Sequence, residues 1–154
     1  MKLIASVVLV CTALAISACK TTRTVEEVAQ EKAMETKPSS LDVLVFLKWK
    51  LQSLNGSNEV KGAGGKTPYL TFDKATKKIN GFAGCNNYFA SYTADENNVS
   101  FSQLAMTRKF CQSGMELEAS FAKTMAEVKS YKIDYAKLFL LNEDGNTVAE
   151  FIRD

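Results

Sequence analysis

The sequence predicts an α+β domain in which an antiparallel sheet curls into a partly open β-barrel with one packed α-helix. Short apolar stretches that alternate with polar residues recur from about residue 44 onward, separated by turn-forming residues. One stretch, 113–130, instead has apolar residues three and four positions apart, which is typical of a helix. The strand-like stretches follow one another closely, which favours about seven or eight strands connected as meanders.

The N-terminus has the organisation of an export signal. Lys2 precedes an apolar run from Leu3 to Ile16, which is shorter than the roughly 20 residues of a membrane-spanning helix. The sequence ISAC at 16–19 resembles the lipobox of bacterial lipoproteins, in which the cysteine is lipidated and becomes the mature N-terminus. This resemblance implies a lipoprotein signal peptide at 1–18 and lipidation at Cys19. An ordinary secretory signal is the alternative.

Residues 19–40 are predicted to be the lipidated N-terminus and a flexible tether, because they are polar and contain no aromatic residue. A flexible chain of this length spans about 25 Å. Lys20 stands where an inner-membrane retention signal would have Asp, so the lipobox resemblance implies an outer-membrane anchor facing the periplasm. The globular domain is expected at 41–154.

Composition excludes several classes of function. Without residues 1–18 the chain has 18 basic and 17 acidic residues, and this balance gives no support for nucleic-acid binding. The chain has no histidine, so Ser-His-Asp and Cys-His catalysis are excluded. The adjacent acids Glu26-Glu27 and Asp95-Glu96 lie in predicted tether or turn segments, where solvated charge is the usual explanation. We therefore expect no catalytic residues, metal site or cofactor.

Two of the four cysteines remain for the folded domain. Cys11 lies in the predicted signal peptide and Cys19 in the lipobox, which leaves Cys85 and Cys111. A disulfide is the first interpretation in an oxidising envelope. A reactive thiol or a metal ligand is the alternative, although two thiolates alone make a poor zinc site.

The first strands are predicted from alternation. Trp49 and Leu51 alternate with polar residues, and so do the apolar residues of YLTFD at 69–73. Between them, 55–66 is predicted to be a flexible loop. Its glycines do not have the spacing of a phosphate-binding loop. Another strand is expected at 79–84, and two more within 87–107, joined at 94–98.

The helix is expected to begin near Ser113, with Ser113 as its candidate cap and Glu116 completing a capping box. Its apolar face, Leu117, Phe121, Met125 and Val128, is interpreted as core packing. Beyond it, YKIDY at 131–135 alternates again, and 137–154 predicts a hairpin around the turn sequence EDGN.

Several motifs together resemble the META domain family, which includes HslJ-like heat-shock lipoproteins of bacteria. They are Trp49-x-Leu51, PYLTFD from Pro68, INGFAGCNNYFASY from Ile79 and LAMTRKFC ending at Cys111. The resemblance covers about residues 44–152 and implies that Cys85 and Cys111 pair. Family members are associated with stress response, secretion or motility, without an established reaction.

The function expected from these features is a non-enzymatic envelope lipoprotein, a binding or chaperone-like module with an envelope protein as candidate partner. The alternative is a pilotin-like assembly factor that binds a peptide or acyl chain in an apolar groove between helix and barrel. An enzyme of unknown type is the remaining alternative. Arg108 is the first candidate for binding, with a structural ion pair or stacking on a tyrosine as alternatives. Asn86 and Asn87 are expected to satisfy backbone groups of a turn.

Overall fold

The structure is a computed structural model that describes residues 37–154. The predicted signal peptide, Cys19 and residues 20–36 of the predicted tether lie outside the described residues. The helices and strands of the described chain follow one another in this order: α1 (Ser40–Phe46), β1 (Trp49–Leu54), a 3₁₀ turn (Ala63–Gly65), β2 (Tyr69–Asp73), β3 (Lys78–Phe82), β4 (Asn87–Ala94), β5 (Val99–Phe101), β6 (Ala105–Met106), α2 (Met115–Glu127), β7 (Ser130–Asp134), β8 (Lys137–Leu141) and β9 (Thr147–Arg153).

All strand pairs are antiparallel, and the sheet runs in the order β5-β4-β3-β2-β1-β9-β8-β7, with β6 added beside β4. Its two edges approach each other, because the backbone of Asn98 bridges that of Ser130. The amide of Val99 donates to the carbonyl of Lys129 over 3.2 Å. The sheet is therefore a nearly closed barrel, and the predicted fold class is confirmed.

The core fills the barrel and the space under α2. Inward residues alternate with outward ones along β2, β3 and β4, as the sequence pattern predicts. Phe121 and Met125 of α2 are fully buried, while Val128 is buried just beyond the end of the helix. The bulkiest fully buried side chains of the strands are Trp49, Leu70, Ile79, Tyr88, Val99, Leu138, Leu140 and Phe151.

Helix α1 was not predicted from the sequence, where only the alternation around Trp49 and Leu51 was assigned to an element at the start of the domain. Ser39 caps it by accepting a hydrogen bond from the amide of Asp42 over 3.1 Å. Leu44 and Val45 are buried against the barrel, and the indole of Trp49 donates to the carbonyl of Leu44 over 3.0 Å. A helix this short depends on such tertiary contacts.

The predicted cap of the long helix is wrong, although the helix does begin near Ser113. Helix α2 begins at Met115 after Gly114, which has a φ of 87°, and no side chain caps it. Ser113 precedes this left-handed residue and cannot act as the cap that the capping-box pattern suggests. The backbone of Gly114 instead packs against that of Gly84.

The barrel has two ends with different attachments. At the end that we call the α1 end lie α1 and the connections 74–77, 95–98 and 135–136. At the opposite end, the disulfide end, lie the connection 83–86 and the segment 107–114, which the Cys85–Cys111 bond joins. Among residues 37–154, no helix has the length and apolar character needed to cross a bilayer.

Candidate functional site

A buried hydrogen-bond network lies at the disulfide end, with Glu118 of α2 at its centre. The side chain of Glu118 is buried, and its carboxylate accepts hydrogen bonds from the backbone amides of Cys85 (3.1 Å) and Asn86. It also accepts one from the Asn86 side-chain amide over 2.9 Å. Because three N–H donors surround the carboxylate, the turn at 85–86 is fixed to the first turn of the helix.

Asn86 connects this network to the segment 107–114, which we call the disulfide loop. The side-chain oxygen of Asn86 accepts hydrogen bonds from the Thr107 hydroxyl (2.9 Å) and the Lys109 amide (2.8 Å). Its side-chain nitrogen donates to the Lys109 carbonyl over 3.1 Å, in addition to Glu118. Both donor hydrogens and both acceptor positions of this amide are therefore used within the protein. The interpretation of Asn86 as a residue that satisfies backbone groups agrees with these contacts.

Asn87 and the disulfide hold the same loop from two further directions. The carbonyl of Asn87 accepts the Thr107 amide over 3.0 Å, while the Asn87 side chain is exposed on the outer face of the sheet. Cys85 and Cys111 form a disulfide, with 5.9 Å between their Cα atoms. The loop is thus bound by one covalent link and by hydrogen bonds near its start.

Three backbone segments meet without side chains between them at this end. A Cβ added to Gly84, whose φ is 142°, would lie 2.7 Å from the carbonyl oxygen of Gly114. The backbone of Gly62 packs against Gly84 in the same way, and the amide of Ala63 donates to the Gly84 carbonyl over 2.6 Å. The segment 55–66, predicted to be a flexible loop, therefore packs its glycine-rich part closely against the turn that carries Cys85.

The residues that the disulfide loop presents to solvent are cationic and aromatic. Phe110 is 90% exposed, and Arg108 and Lys109 are exposed beside it. Arg108 has no ion pair and no aromatic ring partner within residues 37–154. An exposed phenylalanine on a loop held this firmly is typical of a contact surface.

The structure brings the predicted residues of the domain together. Cys85, Asn86, Asn87, Arg108 and Cys111 all lie on the disulfide loop or on the turn and strand that hold it. Glu118 was missed, although one sequence signal pointed to it. It lies three residues before Phe121 and so beside the apolar face of α2, where a carboxylate needs partners.

The arrangement positions a loop, and its two cysteines and its buried carboxylate are engaged in structural contacts. The two sulfurs are joined, and Glu118 is hydrogen-bonded on both carboxylate oxygens. The adjacent acids Asp95 and Glu96 lie at a hairpin turn, where Asp95 accepts the amides of Asn97 and Asn98. Within residues 37–154, no three Cys, Asp or Glu side chains are close enough together to hold a metal ion.

A pilotin-like function was expected to need an apolar groove between helix and barrel, and two concave surfaces can be compared with that expectation. Beside the N-terminus of α2 lies an open groove of about 460 Å³, and its lining includes Glu59, Lys61 and Glu116. A more apolar concavity of about 500 Å³ lies instead beside α1, where Val43, Val45, Phe46 and Leu47 line it. The apolar surface is therefore at the α1 end and away from the long helix.

These features define a small α+β barrel domain with an internal disulfide. The family model of the META domain matches residues 43–154, and the chain therefore belongs to the META domain family. This family is not known as an enzyme family. The resemblance noted in the sequence is thereby confirmed.

Two solved structures share the fold. An NMR structure of a protein from Burkholderia xenovorans is 24% identical, covers 73% of this chain and 84% of its own, and superimposes with a TM-score of 0.58. A second NMR structure is 20% identical, covers 71% of this chain and 91% of its own, with a TM-score of 0.55. No curated protein matches the sequence.

Proposed function

We propose that this META domain protein is a non-enzymatic lipoprotein of the bacterial envelope that binds another envelope protein through its disulfide loop. The observation that carries the proposal is the exposure of Phe110 and Arg108 on a loop that the disulfide and Asn86 hold in place. A loop that is already ordered loses little conformational entropy on binding. Aromatic and arginine side chains also contribute most often to protein interfaces.

The envelope location rests on the sequence ISAC at 16–19 and on the disulfide, which persists in oxidising compartments. In cells treated with a globomycin-type inhibitor of lipoprotein signal cleavage, we expect the uncleaved precursor to accumulate. Cys19→Ser should release the protein from the outer-membrane fraction or stall its processing. A mature N-terminus at any residue other than 19 would contradict lipid anchoring.

Photo-crosslinking in intact cells tests the binding surface. A photoreactive amino acid at position 110 should form an adduct with one envelope protein, and Arg108→Ala should weaken that adduct. The matched control is position 135, because Tyr135 is 98% exposed and lies at the α1 end. If position 110 gives no defined adduct, or gives the same adducts as position 135, the disulfide loop is not the binding surface.

A pilotin-like assembly factor is the second candidate, and the apolar concavity beside α1 favours it. Phe46 at its edge is 87% exposed, a position suited to contact with an acyl chain or an apolar peptide side chain. The same crosslinking experiment separates the two functions. An adduct from position 46 with a secretion component, without one from position 110, would support the assembly factor.

A further inference from the structure

We infer that the outer face of the sheet carries a binding groove for an acidic peptide segment of a partner protein. The groove has a volume of about 460 Å³, and its walls include Lys48, Lys50 and Lys66. The pairing of neighbouring strands brings its residues together. Four of them lie directly opposite one another on adjacent strands: Lys50 on β1, Tyr69 on β2, Phe82 on β3 and Asn87 on β4. Directly opposed residues share one face of the sheet, so these four side chains form a row across it.

Two of the lysines that line the groove already hold one carboxylate. Asp154 places one oxygen 2.7 Å from the Lys48 ammonium, and its other oxygen contacts the Lys50 ammonium. These hydrogen bonds, that of Lys48 first, hold the pKa of the Asp154 carboxyl below its usual value. The two lysines are thus spaced to hold a single carboxylate between them. An incoming aspartate or glutamate would find the same geometry after displacing Asp154.

A third cation and an aromatic floor extend the groove beyond that pair. Lys66 lines the groove and has no ion-pair partner within the described part of the chain. Tyr69 and Phe82 are half-buried beneath the lysines, and the Lys48 ammonium lies 4.6 Å from the centre of the Tyr69 ring. A segment that combines carboxylates with an apolar or aromatic side chain would satisfy both the cations and the floor.

The occupant that these contacts favour is a peptide. The anion that Lys48 and Lys50 hold is an amino-acid carboxylate, and lysine ammonium groups bind it as point charges without the planar fork that arginine offers to phosphate. The near balance of charge over the whole chain does not provide the broad basic surface of a nucleic-acid-binding protein. The lining of this groove includes neither Arg108 nor Phe110.

Fluorescence anisotropy on the purified full chain tests the inference. The probe is a fluorescein-labelled peptide of alternating aspartate and phenylalanine, and the control probe has lysine in place of aspartate. We expect saturable binding of the aspartate peptide that weakens with added salt, because the contacts are at the surface. Equal binding of the lysine peptide would overturn the inference. The assay requires neither a lipid anchor nor a loop partner, so its failure would leave the crosslinking experiments unaffected.

Point variants test whether the groove lysines bind a peptide or only form a structural ion pair with Asp154. Lys66→Ala should weaken binding by about fivefold, the size expected for losing one surface ion pair. Lys123→Ala, on the exposed side of α2, is the matched control and should change nothing. Asp154→Asn should strengthen binding, because it removes the internal competitor, and a folding defect would not produce that gain. Unchanged or weaker binding of the peptide by Asp154→Asn would contradict the inference. It would also be contradicted if the protein bound a single-stranded oligonucleotide or a sulfated polysaccharide more tightly than the aspartate peptide.

Discussion

The two ends of the barrel hold their attached segments by different means. At the α1 end, helix α1 is held by burial of Leu44 and Val45 and by the Trp49 indole. At the disulfide end, the loop 107–114 is held by a covalent bond and by polar contacts to Asn86, while its own Phe110 remains in solvent. Anchoring through the core uses the apolar side chains of a segment. Anchoring through the backbone and a disulfide leaves side chains available for a partner.

The largest effect should come from removing the core anchor of the α1 end. Leu44→Ala deletes a fully buried side chain, and we expect the free energy of unfolding to fall by about 2–5 kcal/mol. Chemical denaturation measures it. The matched control in the same helix is Phe46→Ala, which removes an exposed side chain and should change stability by less than about 0.5 kcal/mol. Equal losses from both variants would show that α1 is not held by burial.

Loss of the disulfide should have the next largest effect. The bond closes a loop with a sequence separation of 26 residues, and removing it should lower the free energy of unfolding by about 2–4 kcal/mol. The double variant Cys85→Ser/Cys111→Ser should lose no more than either single variant, because both act through one bond. Maleimide labelling of the oxidised protein checks the premise. Reaction of both cysteines before reduction would contradict it.

The polar anchor of the disulfide end can be tested separately through Glu118. Glu118→Gln keeps the shape of the side chain but turns one acceptor oxygen into a donor beside the Cys85 and Asn86 groups that donate to it. We expect a loss of about 1–3 kcal/mol, the cost of leaving a buried polar group unpaired.

The matched control for Glu118→Gln is Glu116→Gln on the exposed side of the same helix, and thermal unfolding compares the two. If both variants melt alike, the buried network does not secure the disulfide end.

The sequence predicted the features that depend on the local periodicity of apolar residues or on the number of cysteines in the domain. Alternation marked the strands from β2 to β5, and the apolar spacing around Phe121 marked α2. Exclusion of Cys11 and Cys19 left only one pair of cysteines to join. These patterns are local, so one strand or one helix is enough to produce them.

The features that the sequence did not predict depend on contacts between distant segments. Helix α1 has only seven residues and is stabilised by packing on the barrel. Glu118 contacts the amide of Cys85, 33 residues away, which no local pattern reveals. The cap of α2 was wrongly assigned to Ser113, because Gly114 lies between Ser113 and the helix with a positive φ and packs against the backbone of Gly84. Long-range packing therefore decides the details of the candidate site.

The smallest effect concerns pH and distinguishes the two ends again. At the α1 end, hydrogen bonds from the amides of Thr76 and Asn97 lower the pKa of Asp73 and Asp95. A carboxyl whose pKa is lower in the folded state stabilises it above the unfolded pKa of about 3.9, and that contribution is lost as the pH falls through the folded value. Acid should therefore loosen the turns of the α1 end.

Amide hydrogen exchange at pH 7 and pH 3, corrected for intrinsic rates, measures this loosening residue by residue. The Asn98 amide, which donates to the Asp95 carboxylate, should lose protection at pH 3. The Lys109 amide donates to the side-chain amide oxygen of Asn86, a group that does not titrate, and should keep more of its protection. Asp95→Asn tests the cause, because it should make protection at Asn98 nearly independent of pH over this range. If the Lys109 amide loses more protection between pH 7 and pH 3 than the Asn98 amide does, the disulfide end is the more acid-sensitive end, which would contradict this prediction.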